Sequence, residues 1–317
     1  MPLREQDVLK EALAAGFARA ALLPVRPLLS YRPNAEAVRQ QICGDPLCQA
    51  PWAASVLVAA MPYEWFSAPP KGCVNIAAFF LQSNRAYAAM RSVQRSLAAQ
   101  GVRADAVQHI PSKQWAMLAG FWQQGRNTLL HAKPWGTCFT VQTLLTDVVP
   151  QECVRHLPPV PSVDDACGAC RRCVLACPTG ALDGQGGMDP EKCLRTWQLR
   201  GLPVPLPLRE KMGVRLLGCD ICQRACPRNA AVPSLPPQEL FGIDELLRFT
   251  PQTRRRLGAV LGTNEARPLR VRAQALLAAG NSGDPALLGL VQPLCTHESP
   301  AVAEHAVWAF HRLRGEE

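Results

Sequence analysis

ACGACRRCVLACPTG, residues Ala166–Gly180, sets four cysteines at the spacing C-x2-C-x2-C-x3-C and follows the last with proline. That is the run by which thiolates hold cubane iron–sulfur clusters. Three thiolates on a tight loop reach three irons of one cube, while the fourth, one turn farther on, is directed to a neighbouring cluster. Cys167, Cys170 and Cys173 therefore group together, and Cys177 stands apart. Downstream, GCDICQRACPRN, Gly218–Asn229, repeats the ending with Cys219, Cys222, Cys226 and Pro227, but Leu216 stands where the run's first cysteine belongs. Cys193 is the one cysteine between the two runs. The spacing predicts one [4Fe-4S] cluster on Cys167, Cys170, Cys173 and Cys226 and a second on Cys177, Cys193, Cys219 and Cys222. A pair of zinc sites is the alternative, since C-x2-C pairs also bind zinc tetrahedrally. The x3 spacing and the proline after both terminal cysteines favour iron–sulfur. Cys43, Cys48, Cys73, Cys138, Cys153 and Cys295 have no such spacing and read as free thiols, most of them buried.

The rest of the chain sets the context for two clusters. Its 317 residues, 48% of them hydrophobic, leave room for two or three packed domains. No apolar run reaches the length of about eighteen residues that a membrane span requires. The start, MPLREQDVLKEALAAGF, reads as an amphipathic helix rather than a signal peptide. Fourteen cysteines without a signal point to metal or redox chemistry in a reducing compartment, so a cytoplasmic protein is expected. A net charge of +9 favours a polyanionic partner such as RNA or a phosphate-bearing cofactor.

Before the cysteines the pattern mixes strand and helix. SVLVAAMPY, Ser55–Tyr63, is a compact apolar run suited to a buried strand, and NRAYAAMRSVQRSLAAQG is helical up to a C-capping Gly101. HLPPVPS, residues 156–162, reads as a linker, because successive prolines remove donors and disfavour helix. After a second proline-rich segment, VPSLPPQ, two helical stretches follow: LRVRAQALLAAGNSGDPALLGLVQPL and SPAVAEHAVWAFHRL. Their Ala/Leu/Val spacing suits stacked helical hairpins of the HEAT type. The expected fold is α+β with domains at 1–157, 158–232 and 233–317.

The order of these features resembles the cobalamin-dependent epoxyqueuosine reductase family, itself related to reductive dehalogenases. The resemblance runs from about Ala54 to the C-terminus and is carried by AGFWQQGRNTLLHAKPWGTCFTVQTLLTD, by the cysteine block with GCDICQRACPRN, and by VRAQALLAAGNSGD. It implies a nitroreductase-like domain for cobalamin, a ferredoxin-like domain with two [4Fe-4S] clusters, and a HEAT-like helical domain that helps bind tRNA. The family's AG-x4-GK-[NH] stretch is matched by Ala119, Gly120, Gly125, Arg126 and Asn127, with Arg for Lys. Its GSW-type turn falls at Gly136 and Thr137. The resemblance implies that Gly125, Arg126, Asn127, Gly136 and Thr137 approach the corrin. Turn glycines of an ordinary α+β fold are the competing explanation of these positions.

Two departures stand out. The family's catalytic aspartate falls on Ala106, with Asp105 one residue away, so Asp105 takes the role only after a one-residue slip. A G-R-D-Y-H stretch aligns with NRAYA, where Arg85 and Tyr87 remain while Ala86 and Ala88 replace the aspartate and histidine. His109 and Tyr63 are other conceivable proton donors, although each is more often a packed residue.

The resemblance implies a monomeric reductase of epoxyqueuosine in tRNA, fed by an external low-potential electron donor. Arg254, Arg255, Arg256, Arg267, Arg270 and Arg272 are the candidate phosphate contacts, with a solvated arginine-rich helix face as the alternative. The runner-up is a divergent relative that reduces another small molecule or the corrin itself. A third reading is a cobalamin-binding electron-transfer protein without catalysis of its own.

Overall fold

The computed structural model describes residues 4–28, 31, 41–106, 109–120, 122–150, 167–237 and 239–316. The fold is α+β, as expected. The proline-rich stretch 156–162 and Cys153 lie outside the described residues. The chain divides into two compact units, Met1–Tyr63 with Arg85–Cys170 and Arg228–Ala231, and Glu64–Asn84 with Arg171–Pro227 and Val232–Glu317.

The first unit is built on an antiparallel sheet of β1 (Arg19–Pro24), β2 (Ser55–Pro62), β3 (Ala104–Asp105) and β4 (Phe139–Thr146), in the order β1-β2-β4-β3. β2 is central and covered on both faces, which is why it reads as a continuous apolar run rather than an alternating one. Its even-numbered residues Val56, Val58 and Ala60 pack with Trp115, Trp122, Leu130 and Phe139, drawing α3 (Ser112–Leu118) onto one face. Its odd-numbered residues Leu57, Ala59 and Met61 meet α1 (Glu5–Ala14) and the part of α2 (Ala78–Ala99) that carries Met90, Val93 and Leu97. Helix α1 fits the reading of the N-terminal stretch as amphipathic, because Val8 and Ala12 are its buried residues. Gly101, with φ +82°, follows the end of α2 as the C-cap signal predicts.

The second unit packs its helical C-terminal part around a core that includes Leu246, Leu257, Leu276 and Ala306. There α4 (Pro251–Leu261), α5 (Pro268–Ser282) and α6 (Pro300–Leu313) each begin with proline at the first turn. Helices α5 and α6 pack closely, and His305 of α6 is wholly buried. Its Nε2 accepts the Val204 N–H at 2.8 Å while Nδ1 lies 2.9 Å from the Ala273 carbonyl, which fixes a neutral ring. Burial is the main reason its pKa falls to about 4, with the Arg209 charge adding to it against the Ala273 contact. Among the described residues, no helix is long and apolar enough to cross a membrane.

Candidate iron–sulfur and reaction site

The cysteines of the second unit come from short elements, each positioned by its own backbone turn. Cys173 is buried within the helical turn Arg172–Ala176, and Cys177 caps its end. Cys193 caps the start of the helix Leu194–Arg200. Cys219 precedes the turn Ile221–Arg224 and Cys222 lies within it, and this turn packs against Arg172–Ala176. Gly218 makes the approach to Cys219 achievable: at φ +81°, a Cβ would stand 2.6 Å from Ala77 Cβ and 2.8 Å from the Phe80 ring. Leu216, at the place of the absent first cysteine, lies in the strand Arg215–Leu217 beside Asn75–Ile76 and is buried in the apolar core. A ligand cannot come from a side chain committed to that core.

Electrostatics tie these thiols together. Burial, followed by the neighbouring Cys219, Cys193, Cys177 and Cys173, pushes Cys222 up to about 12. Burial also raises Cys219, outweighing the Ile221 amide and the Arg215 charge. At Cys177 burial pulls upward too, but hydrogen bonds from the Thr179 hydroxyl and from the amides of Thr179, Ala181 and Leu182 outweigh it and lower the pKa. The Ala181 N–H reaches Cys177 Sγ at 3.3 Å. Mutually repelling thiolates in a desolvated group are costly unless a metal core compensates their charge. Cys173, Cys177, Cys193 and Cys219 all lie near enough to Cys222 for their charges to raise its pKa.

Cys167 and Cys170 close the first unit, and the Cys170 N–H donates to the Cys167 carbonyl at 3.2 Å. The Arg126 N–H points at Cys167 Sγ, 3.5 Å away, and Arg126 Nη2 donates to the Gly168 carbonyl at 2.8 Å. A Cβ on Gly125 would lie 3.1 Å from Asn127 Oδ1 and 3.5 Å from Cys167 Sγ. Asn127 Oδ1 accepts the Leu129 N–H at 3.3 Å. Gly136, at φ +56°, leaves space for Asn229, whose Oδ1 and the Arg228 carbonyl would collide with any Cβ there. Asn229 Oδ1 accepts the Thr137 N–H at 2.7 Å, and its Nδ2 donates to Thr137 Oγ1 at 2.9 Å. All five residues anticipated at a corrin thus have partners within the first unit, and their proposed contact with cobalamin rests on the resemblance alone.

Sequence reasoning missed His131. It is buried in the strand Leu130–His131, its Nε2 has no partner among the described residues, and burial, then Arg228, lowers its pKa to about 4. A lone histidine carries no spacing signal that would have found it.

Strand register orients the acid position. Ala104 and Ala106 pack with the α1/α2 face, so Asp105 between them projects to the opposite face. Its register partner Leu145 belongs to the cluster of Trp122 and Leu130. Asp105 is exposed on that face, at the sheet edge. Ala86 is fully buried in the α1/α2 core, whereas Tyr87 and Ala88 are exposed, and Arg85 donates to the Pro62 carbonyl at 2.9 Å. Tyr63 is buried, and exposed His109 offers its carbonyl to the Cys43 N–H at 2.8 Å.

The six arginines separate into two sets. Arg254, Arg255 and Arg272 line a groove of about 810 Å³ together with Thr250, Gly258 and Pro268. Arg256 pairs with Glu245 at 2.7 Å, Arg270 with Glu265 at 2.6 Å, and Arg267 donates to Asn264 at 3.2 Å. Of the six, Arg254 and Arg255 stand exposed in the groove, whereas Arg272 donates to the Arg248 carbonyl at 3.3 Å and lies over the Phe249 ring.

Residues 166–229 match the family described as the 4Fe-4S double cluster binding domain. Over 117 residues the chain is 36% identical to an epoxyqueuosine reductase of Francisella cf. novicida, covering 36% of this chain and 31% of the relative. Relatives of the same name from Burkholderia pseudomallei and Bacillus anthracis are 32% and 28% identical, each over 62% of this chain and over 54% and 53% of their own lengths. In sequence the chain is similar to epoxyqueuosine reductases. It nevertheless spans only about half or less of these three curated relatives. The fold agrees: an epoxyqueuosine reductase crystallised with an epoxyqueuosine-modified tRNA-Tyr stem loop superposes with a TM-score of 0.80 at 19% identity, over 97% of this chain and 89% of that one. A Streptococcus thermophilus epoxyqueuosine reductase gives 0.75 at 16% identity, over 98% and 90%. The double-cluster match over residues 166–229 agrees with iron–sulfur rather than zinc spacing in the cysteine block.

Proposed function

We propose that the protein reduces epoxyqueuosine in tRNA to queuosine, the epoxide oxygen leaving as water at the expense of two electrons and two protons. The observation that carries this reading is the half-buried group of neighbouring thiols Cys177, Cys193, Cys219 and Cys222 inside the segment that matches a double-cluster domain. By spacing, Cys167, Cys170, Cys173 and Cys226 hold the other cluster. When bound, the two [4Fe-4S] clusters supply one-electron transfer from an external low-potential donor, and cobalamin, beside Gly125–Asn127 and Gly136–Thr137, supplies a strongly reducing cobalt centre.

The chain's own residues do the rest. Asp105 stands as the proton donor to the departing oxygen, being the acid on the sheet face shared with the segment that leads to Gly125. Arg254, Arg255 and Arg272 grip phosphates of the tRNA stem from their groove. The functional division follows 1–157 for cobalamin and substrate, 158–232 for the clusters, and 233–317 for a HEAT-like tRNA-binding part. The working form is a cytoplasmic monomer.

Ala86 favours a second reading, in which the protein reduces a different small molecule. Its methyl is packed in an apolar core where the family's aspartate would need a polar partner.

The deciding experiment is anaerobic purification with iron analysis, cobalamin loading, and an assay on epoxyqueuosine-containing tRNA with a chemical reductant. About eight irons per chain and conversion to queuosine are expected. Near four irons would sink the two-cluster assignment. A loaded, reducible protein that leaves the tRNA unchanged would transfer the case to the second reading.

A further inference from the structure

Arg126 carries a full positive charge into a place that packing alone does not explain. It is 7% exposed, its backbone N–H lies 3.5 Å from Cys167 Sγ, and its Nη2 holds the Gly168 carbonyl at 2.8 Å. A Cβ at position 125 would stand in ordinary contact with the same sulfur, 3.5 Å away, so the backbone here passes directly alongside Cys167. A thiolate that accepts an amide hydrogen bond beside a buried cation is stabilised more as its cluster becomes more negative. Reduction adds one negative charge to a cluster, so both features favour the reduced state.

We infer that Arg126 is a positioning residue for the cluster held by Cys167, pinning the Cys167–Gly168 turn with its guanidinium and raising that cluster's reduction potential with its charge and its amide. The pair of clusters is thereby graded: one midpoint depends on residue 126 and the other does not. This rests on Cys167 being a cluster ligand, and the test separates the two ideas.

The holoprotein is titrated anaerobically while reduced-cluster signals are followed by electron paramagnetic resonance, for the native chain, Arg126→Lys and Arg126→Gln. In Arg126→Gln one midpoint moves to more negative potential and the other stays, and Arg126→Lys, which keeps the charge, lies between Arg126→Gln and the native chain. Two loaded clusters with both midpoints unchanged in Arg126→Gln overturn the inference. Iron near four per chain in the native protein, half of the about eight expected, overturns the ligand assignment instead.

Should Arg126→Gln fail to load, the native chain still decides. Protein labelled with ¹⁵N-arginine is expected to show a peptide ¹⁵N coupled to the reduced cluster, and that coupling is lost in labelled Arg126→Lys, whose residue 126 carries ¹⁴N. Identical couplings in the two overturn the inference.

Discussion

The thiol group around Cys222 and the sheet edge at Asp105 are proposed to act in series, yet they are built in opposite ways. Cys222 sits among four other cysteines that burial and mutual repulsion hold under electrostatic stress, and its helical turn is packed against another. Asp105 lies exposed on a two-residue edge strand. In the first region each thiol is placed by a turn of its own. The second depends on a single alternation: one step of register would exchange Asp105 for Ala106. The proposed cluster ligands are thus encoded by local spacing, and the proposed acid by strand pairing.

That contrast can be broken most directly at Cys222. Cys222→Ser is expected to remove one cluster outright, lowering iron from about eight to about four per chain, with one of two reduced-cluster signals lost. Retention of full iron would show that the thiols are not a shared ligand set. At the other pole, Asp105→Asn is expected to slow tRNA turnover by about 10²–10⁴-fold while iron content and both midpoints stay put. Unchanged turnover would remove Asp105 from the reaction. In the same series, Ala106→Asp combined with Asp105→Ala puts the acid on the wrong face and should not restore activity.

Effects at the arginine groove should be smaller and graded by salt. Replacing Arg254, Arg255 and Arg272 by glutamine should reduce the slope of log affinity for a tRNA stem against log salt by roughly 0.7–0.9 for each phosphate no longer neutralised. The same change at Arg256 and Arg270, already paired with Glu245 and Glu265, should leave that slope alone. Equal effects in both sets would contradict the separation drawn from the geometry.

His305 supplies the mildest test, since it concerns the stability of the second unit and not its chemistry. Its pKa of about 4 when folded lies below the unfolded value of about 6.5. The unfolded chain therefore takes up a proton that the folded ring refuses, and this contribution is complete above about pH 6.5 and is lost progressively as pH falls towards 4. Melting temperature should drop across that window. His305→Gln should flatten the drop and cost about 1–3 kcal/mol at neutral pH, since the ring's two buried partners are left imperfectly paired. An unaltered acid slope would mean that His305 titrates normally.

Much of this was legible in the sequence. The run from Cys167 to Cys177 stated its own ligand chemistry, the apolar stretch Ser55–Pro62 its burial on both faces, and Gly101 the end of its helix. What was not legible required long-range contact. Nothing local distinguishes Arg254 from Arg256; the difference is that Glu245 reaches only the second. Gly136 reads as a turn glycine, and only the presence of Asn229, ninety-odd residues away, shows what its missing Cβ accommodates. His131 is a lone histidine until burial and Arg228 make it unusual.

By itself the sequence determined the α+β composition and the iron–sulfur spacing. Those are properties of neighbours along the chain, where spacing fixes reach. Tertiary structure alone decided that Leu216 belongs to the core, that Asp105 and not Ala106 faces the cluster of Trp122 and Leu130, and that Arg126 lies against Cys167. Each of these depends on which distant segment covers a side chain, and burial and charge take their meaning from that covering.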